Sequence, residues 1–124
     1  EEVMTLVSPG KPARIVSKGV ICDTEDQVEL LYTCPANCRG EVSMLFAVNA
    51  NGNTSATARW YRASDAAEFT LIGGKNLISG ESILLTGATL VLEPGDQIRC
   101  VATSQAAPEL DFMCTVTETF VPVG

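Results

Sequence analysis

The chain has 124 residues, 46% hydrophobic and 19% charged, with eight basic groups against fifteen acidic ones and a net charge of −7. That length supports one domain with its own core and leaves too little for a second of ordinary size. The acidic balance argues against a binder of nucleic acid or of an anionic membrane surface. The absence of histidine removes His-based triads, His metal sites and His proton shuttles.

The chain begins at Glu1 rather than Met, as a processed or truncated start would. Two prolines in Ser8-Pro-Gly-Lys-Pro12 remove backbone donors and forbid an interior strand, so residues 1–20 read as an extended arm. This arm runs into a strand at about residues 13–20, and residues 21–124 form the single domain. A polar acidic turn follows at residues 23–27. Residues 28–34 alternate as a strand with Val28, Leu30, Tyr32 and Cys34 on one face. Val42, Met44, Phe46 and Val48 define the buried face of the next, and Asn51-Gly52 supplies the positive φ of a tight hairpin turn.

A strand over residues 55–63 sets Ala58 and Trp60 against Arg59 and Tyr61. A short connection at residues 64–67, the one place for a turn of helix, leads to a strand at 68–72 that Gly73-Gly74 breaks. Short extended pieces at 76–79, 82–86 and 89–92 precede the turn Glu93-Pro-Gly-Asp96. Residues 97–104 place Ile98, Cys100 and Ala102 inward. A final strand over 110–120 does the same with Leu110, Phe112, Cys114 and Val116. About eight short strands with turns every ~8–12 residues predict an all-β protein, an antiparallel sandwich of the jelly-roll kind with an extended N-terminal arm. The apolar runs at 42–48 and 83–92 fall short of the ~18–20 residues that span a bilayer.

Catalytic chemistry finds few candidates. Asp23, Glu25 and Asp26 cluster in a turn, and Glu109 and Asp111 bracket Leu110. Exposed aromatics to hold a sugar between such pairs are scarce with one Trp, two Tyr and four Phe. The same three acids lack the spacing of a calcium loop. Gly73-Gly74-Lys75 lacks the spacing of a phosphate loop, and no Gly-x-Ser-x-Gly elbow occurs. The expectation is a non-enzyme with no catalytic residues, metal or cofactor.

The five cysteines are Cys22, Cys34, Cys38, Cys100 and Cys114. An odd number cannot pair fully within one chain. Cys34 and Cys38, four apart, suit a small disulfide loop, two metal-binding thiolates or two reduced thiols packed as small apolar groups. Cys100 and Cys114 fall in phase with apolar neighbours. Arg59, Tyr61 and Arg62 form a candidate interface patch, as do Pro9, Lys11, Pro12 and Arg14 on the arm, since Arg and Tyr are enriched at interfaces.

Three segments carry a family resemblance: Leu31-Tyr-Thr-Cys-Pro-Ala-Asn37 with the strand ending Asn49-Ala-Asn51; Ala58-Arg-Trp-Tyr61; and Leu90-Val-Leu-Glu-Pro-Gly-Asp-Gln-Ile-Arg99 followed by Ala102-Thr-Ser. Over about residues 27–120 the chain resembles small β-sandwich structural proteins of tailed-bacteriophage virions. The five cysteines and the arm to Lys18 depart from that pattern. The resemblance implies no catalytic residue, and Pro35, Gly95 and Asp96 match its turn positions as architecture. It implies a virion component assembled in the bacterial host cytoplasm, most simply a capsid decoration or cement protein. Such a protein bridges subunits of the major capsid protein, as a homo-oligomer with a trimer favoured. The alternative it leaves is a neck- or tail-fibre-associated module binding another tail protein or a host glycan.

Overall fold

The computed structural model describes residues 12–87 and 90–121. The strands are β1 Pro12–Cys22, β2 Glu29–Thr33, β3 Cys38–Asn51, β4 Asn53–Arg62, β5 Ala67–Ile78, β6 Ser82–Leu85, β7 Leu90–Leu92, β8 Gln97–Thr103 and β9 Glu109–Phe120. There is no helix among the described residues. The first sheet has the order β1-β9-β3-β6, with β7 also on β3; the second has the order β2-β8-β4-β5. All pairings are antiparallel. Because β6 pairs with Leu45, Phe46, Ala47 and Val48 and β7 with Gly40, Glu41 and Val42, the two are successive pieces of one edge. This is an eight-position jelly roll with its sixth position split in two.

The core lies between the sheets. Leu110, Phe112, Cys114 and Val116 of β9 and Leu45 and Ala47 of β3 come from the first sheet. Ile98, Cys100 and Ala102 of β8, Ala56 and Ala58 of β4, and Ile72 and Leu77 of β5 come from the second; all are buried. The predicted inward sets of β8 and β9 are those found.

Bulges overturn the expected faces elsewhere. In β3, Val42 opposes Val116 and Met44 opposes Thr115, so Ser43 is an extra residue. Beyond it Leu45 and Ala47 point inward, while Met44, Phe46 and Val48 turn to the outer side and are only partly buried. In β2, Leu31 is the extra residue between Leu30 and Tyr32. Tyr32 and Cys34 are inward as expected, but Leu31 joins them, and Val28 and Leu30 lie on the outer face, 57% and 51% exposed. Gly73-Gly74 does not break the chain: β5 runs through it, and Gly74, at φ 71°, is the extra residue of a bulge against β4. Residues 1–11 of the predicted arm lie outside the described residues, and from Pro12 onward the chain is strand β1 along β9.

The turns carry the chain between layers. Asn51-Gly52 has the predicted positive φ, 73° at Gly52, yet β3 and β4 belong to different sheets, so it forms a corner and not a hairpin. Asn49, fully buried, holds that corner: its amide donates to the Gly52 and Leu77 carbonyls at 2.7 and 2.8 Å and its Oδ1 accepts from the Asn51 N–H at 3.1 Å. At the β7–β8 turn Gly95 has φ 88°. The buried Asp96 carboxylate there accepts the Trp60 Nε1–H at 3.1 Å, the Ala63 N–H at 2.9 Å and the Glu93 N–H at 3.0 Å. The Cys34 N–H donates to the Asp96 carbonyl at 2.8 Å. Thus Asp96 ties one turn to β4, to the chain just after it and to the end of β2. Asp96→Ala strands three partly buried donors and is expected to cost about 2 kcal/mol, with Asp96→Asn costing less; urea denaturation measures both.

Candidate functional site

The sequence-predicted interface residues divide among separate places. Pro9 and Lys11 lie outside the described residues, and Pro12 opens β1. Arg14, exposed at its guanidinium end, donates from Nε to Glu118 Oε1 at 2.7 Å. Glu118 is 2% exposed and accepts the Tyr32 hydroxyl on Oε2 at 2.5 Å. One carboxylate therefore joins β1, β9 and β2, and so links both sheets at the root of the predicted arm. Burial opposes its charge, but the Tyr32 and Arg14 bonds together hold its pKa below the usual Glu value. Burial, then the Glu118 bond, pushes the Tyr32 phenol well up, so it stays a donor. Glu118 continues the inward phase of Leu110, Phe112, Cys114 and Val116; a charge in that phase is the signal by which sequence flags a partnered carboxylate.

The outer face of the first sheet is a broad surface of low charge. Cross-strand register places Gly19, Met113, Phe46 and Leu84 in one row across β1, β9, β3 and β6. Ile21, Asp111 and Val48 form the row beside it, and Ser17, Thr115 and Met44 the row on the other side. Ile15, Ile21 and Leu84 are 69%, 57% and 54% exposed. Gly19 leaves a trough between Ile21, Asp111 and Met113. The face ends at β1, whose far edge carries no strand among the described residues.

Arg59 and Tyr61 share the outer face of the second sheet, whereas Arg62 does not join them. Its guanidinium lies 5.8 Å from the Trp60 ring centroid and 4.8 Å from that of Phe69, and it pairs with Asp65 at 2.6 Å. Trp60 and Phe69 stack at 4.9 Å. Alternation along β4 accounts for the split: Trp60 and Arg62 fall on one side, Arg59 and Tyr61 on the other. The patch gains instead Arg99, which pairs with Glu68 at 2.8 Å and lies 3.8 Å from the Tyr61 ring centroid. Alternation in residues 97–104 leaves Arg99 outward, but the pairing that sets it beside Arg59, 40 residues away, is not visible in a local pattern.

All five cysteines are buried and free. The Cys34 thiol donates to the Cys38 carbonyl at 3.3 Å, while the Cys38 thiol faces Asn37 Oδ1 at 3.6 Å. Burial pushes Cys22 up to about 12 and Cys34 and Cys114 to about 11. Asp23, Glu25 and Asp26 are exposed. Among the described residues no three His, Cys, Asp or Glu side chains converge to hold a metal.

Glu118→Gln keeps the shape and removes the charge; the expected cost is about 2 kcal/mol at pH 7. Because folding lowers the Glu118 pKa, its ionised form adds stability above the unfolded value of ~4.3. That stability is lost as pH falls through the folded value. Denaturation curves of wild type and variant should therefore draw together as pH falls below the unfolded value. A thiol reagent such as DTNB at pH 8 should find no fast-reacting cysteine in the folded protein and five after unfolding, since all five thiols are buried away from the reagent in the fold.

No protein-family model matches the chain, and no curated protein matches its sequence. Solved structures resemble the chain at low identity. A Bacillus endospore appendage protein, from a family of disulfide-linked pili, matches 98% of this chain and 100% of its own, with 14% identity and a TM-score of 0.48. A chain of the cyanophage Pam1 capsid matches 94% of both chains at 13% identity and a TM-score of 0.48. A chain of the infectious bursal disease virus particle matches all of this one at 12% identity and a TM-score of 0.49; the match spans 39% of the viral chain.

Proposed function

We propose that this protein is a non-enzymatic structural component of a bacteriophage virion, a decoration or cement protein that lies on the outer shell and stiffens it. The observation that carries this reading is the outer face of the first sheet, where Ile15, Ile21, Phe46 and Leu84 make an apolar, low-charge surface on a sandwich pinned by buried polar groups. Covering each Ile or Leu is worth ~1.5–3 kcal/mol at most, and repetition over a symmetric shell multiplies small gains. The sequence resemblance to phage virion proteins supports the same reading, and the partner it implies is the major capsid protein. The chain leading into β1 reaches a neighbouring subunit, with the Arg14–Glu118–Tyr32 cluster as its fixed root. The net charge of −7 keeps the free protein soluble and away from DNA.

The glycan-binding alternative needs an exposed aromatic platform. Trp60 does not supply one, since Phe69 and Arg62 pack against its ring and Asp96 holds its N–H.

The test is addition of the purified protein to shells that lack it, with quantitative mass spectrometry of the particles and their heat resistance as readouts. Copies in the hundreds and raised heat resistance are expected. About six or twelve copies would place the protein at the neck or tail instead. Ile21→Asp with Leu84→Asp, both at exposed positions, should abolish shell binding while the thermal midpoint of the free protein stays within a few degrees. Removal of residues 1–11, which leaves β1 whole, should weaken binding; unchanged binding and heat resistance would exclude a role for the arm.

A further inference from the structure

The outer face of the second sheet holds a combination that the fold does not explain. Arg59 on β4 and Arg99 on β8 are direct cross-strand partners, a like-charge arrangement that costs stability. Glu68, Gln97 and Tyr61 compensate Arg99. Arg59 has no ion pair among the described residues. Leu30 pairs with Arg99 in the same row. A hollow of about 190 Å³ lies between Val28, Thr57, Arg59, Arg99 and Val101. In a protein with eight basic groups, two guanidinium groups side by side on one face, next to exposed apolar side chains, form a surface built for contact.

What would cover it is set by the neighbouring turn. Asp23, Glu25 and Asp26 are exposed, make no ion pair among the described residues, and lead directly into Val28. The Asp26 N–H donates to the Ala102 carbonyl at 2.8 Å, which fixes this turn beside β8. Along the strand direction the face therefore runs from acid, through Val28 and Val101, to Leu30 and the two arginines. A two-fold axis through that apolar middle lays the acidic turn of each copy on the arginines of the other, the self-complementary pattern of an isologous contact. A closed ring of three needs donor and acceptor surfaces on different sides of the molecule, and here they share one face.

We propose that this face joins two copies of the chain as a two-fold dimer, with Val28 at its centre and the Asp23, Glu25 and Asp26 carboxylates against Arg59 and Arg99, with Leu30 beside them, at each end. The Leu31 bulge is what turns Val28 and Leu30 outward for it. The contact is separate from shell attachment, which uses the other sheet, so either can fail without the other.

The test is sedimentation velocity with light scattering on the full chain over a range of concentrations and salt. A dimer mass is expected, with a dissociation constant that rises about tenfold or more from low to high salt. Arg59→Glu and Leu30→Asp, both at solvent-facing positions, should each give monomer under the same conditions. Reversing all three acids to Lys should also weaken the dimer, and combining that reversal with Arg59→Glu and Arg99→Glu should recover it. Glu109→Lys, away from the face, should leave the dimer unchanged. A monomer at every concentration, a trimer mass, or a dimer indifferent to Arg59→Glu and Leu30→Asp would overturn the proposal.

Discussion

One buried carboxylate sets the terms for the way this sandwich closes. Glu118 sits in the inward phase of β9, where every other residue is apolar, and a charge there is tolerated only when its oxygens are occupied. Tyr32 reaches it from the opposite sheet and Arg14 from the edge strand. The first contact fixes the separation of the two sheets at this end, and the second fixes β1 on β9. Gly40 makes room for the arrangement: a Cβ there would lie 3.0 Å from Val116 and 3.4 Å from the Tyr32 hydroxyl. The opposite corner, at Asn49, and the β7–β8 turn, at Asp96, follow the same logic. Each uses a buried polar side chain to bind backbone groups that the turn would otherwise leave without partners. Layers are joined by apolar packing, but their ends are located by these three side chains.

Much of the architecture was legible in the residue pattern. Alternation in residues 97–103 and 110–116 identifies both the strands and their inward faces, because every inward position there is apolar and the outward ones are polar except Val101 and Met113. The Pro-Gly pair before Asp96 identifies the turn. Legibility fails where both faces are apolar. In residues 42–48 Met44, Phe46 and Val48 are as hydrophobic as Leu45 and Ala47, so a period of two cannot choose between them, and the bulge at Ser43 decides. Val28 and Leu30 misled for the same reason. Asn51-Gly52 carries the correct dihedral signal, yet a positive φ does not say whether the next strand stays in the sheet or crosses to the other.

The candidate surfaces were harder still to see. Arg59 and Tyr61 share a face by simple alternation, but Arg99 joins them through a pairing between strands distant in sequence, and Arg62 leaves them to cover Trp60 and Phe69. The Arg14 contact with Glu118 spans 104 positions of the chain. Local patterns hold no record of such distances. They do hold the oddities that such contacts create: a glutamate in a buried phase, and apolar residues that end up outward.

The bulge at Ser43 also bears on how this surface can change over time. The outer residues beyond it are outward because the chain is one residue longer there than its partner strand. If Ser43 took a paired place in the ladder, with Val42 still opposite Val116, Met44, Phe46 and Val48 would turn into the interior and Leu45, Ala47 and the corner-holding Asn49 would turn out. The chemistry of this face is thus encoded in the length of a strand as much as in its side chains. A lineage can lose the residue at position 43 and keep both faces, since Met44 then takes the outward place next to Val42, but it cannot lose one between Met44 and Asn49 without rebuilding the face and the corner behind it.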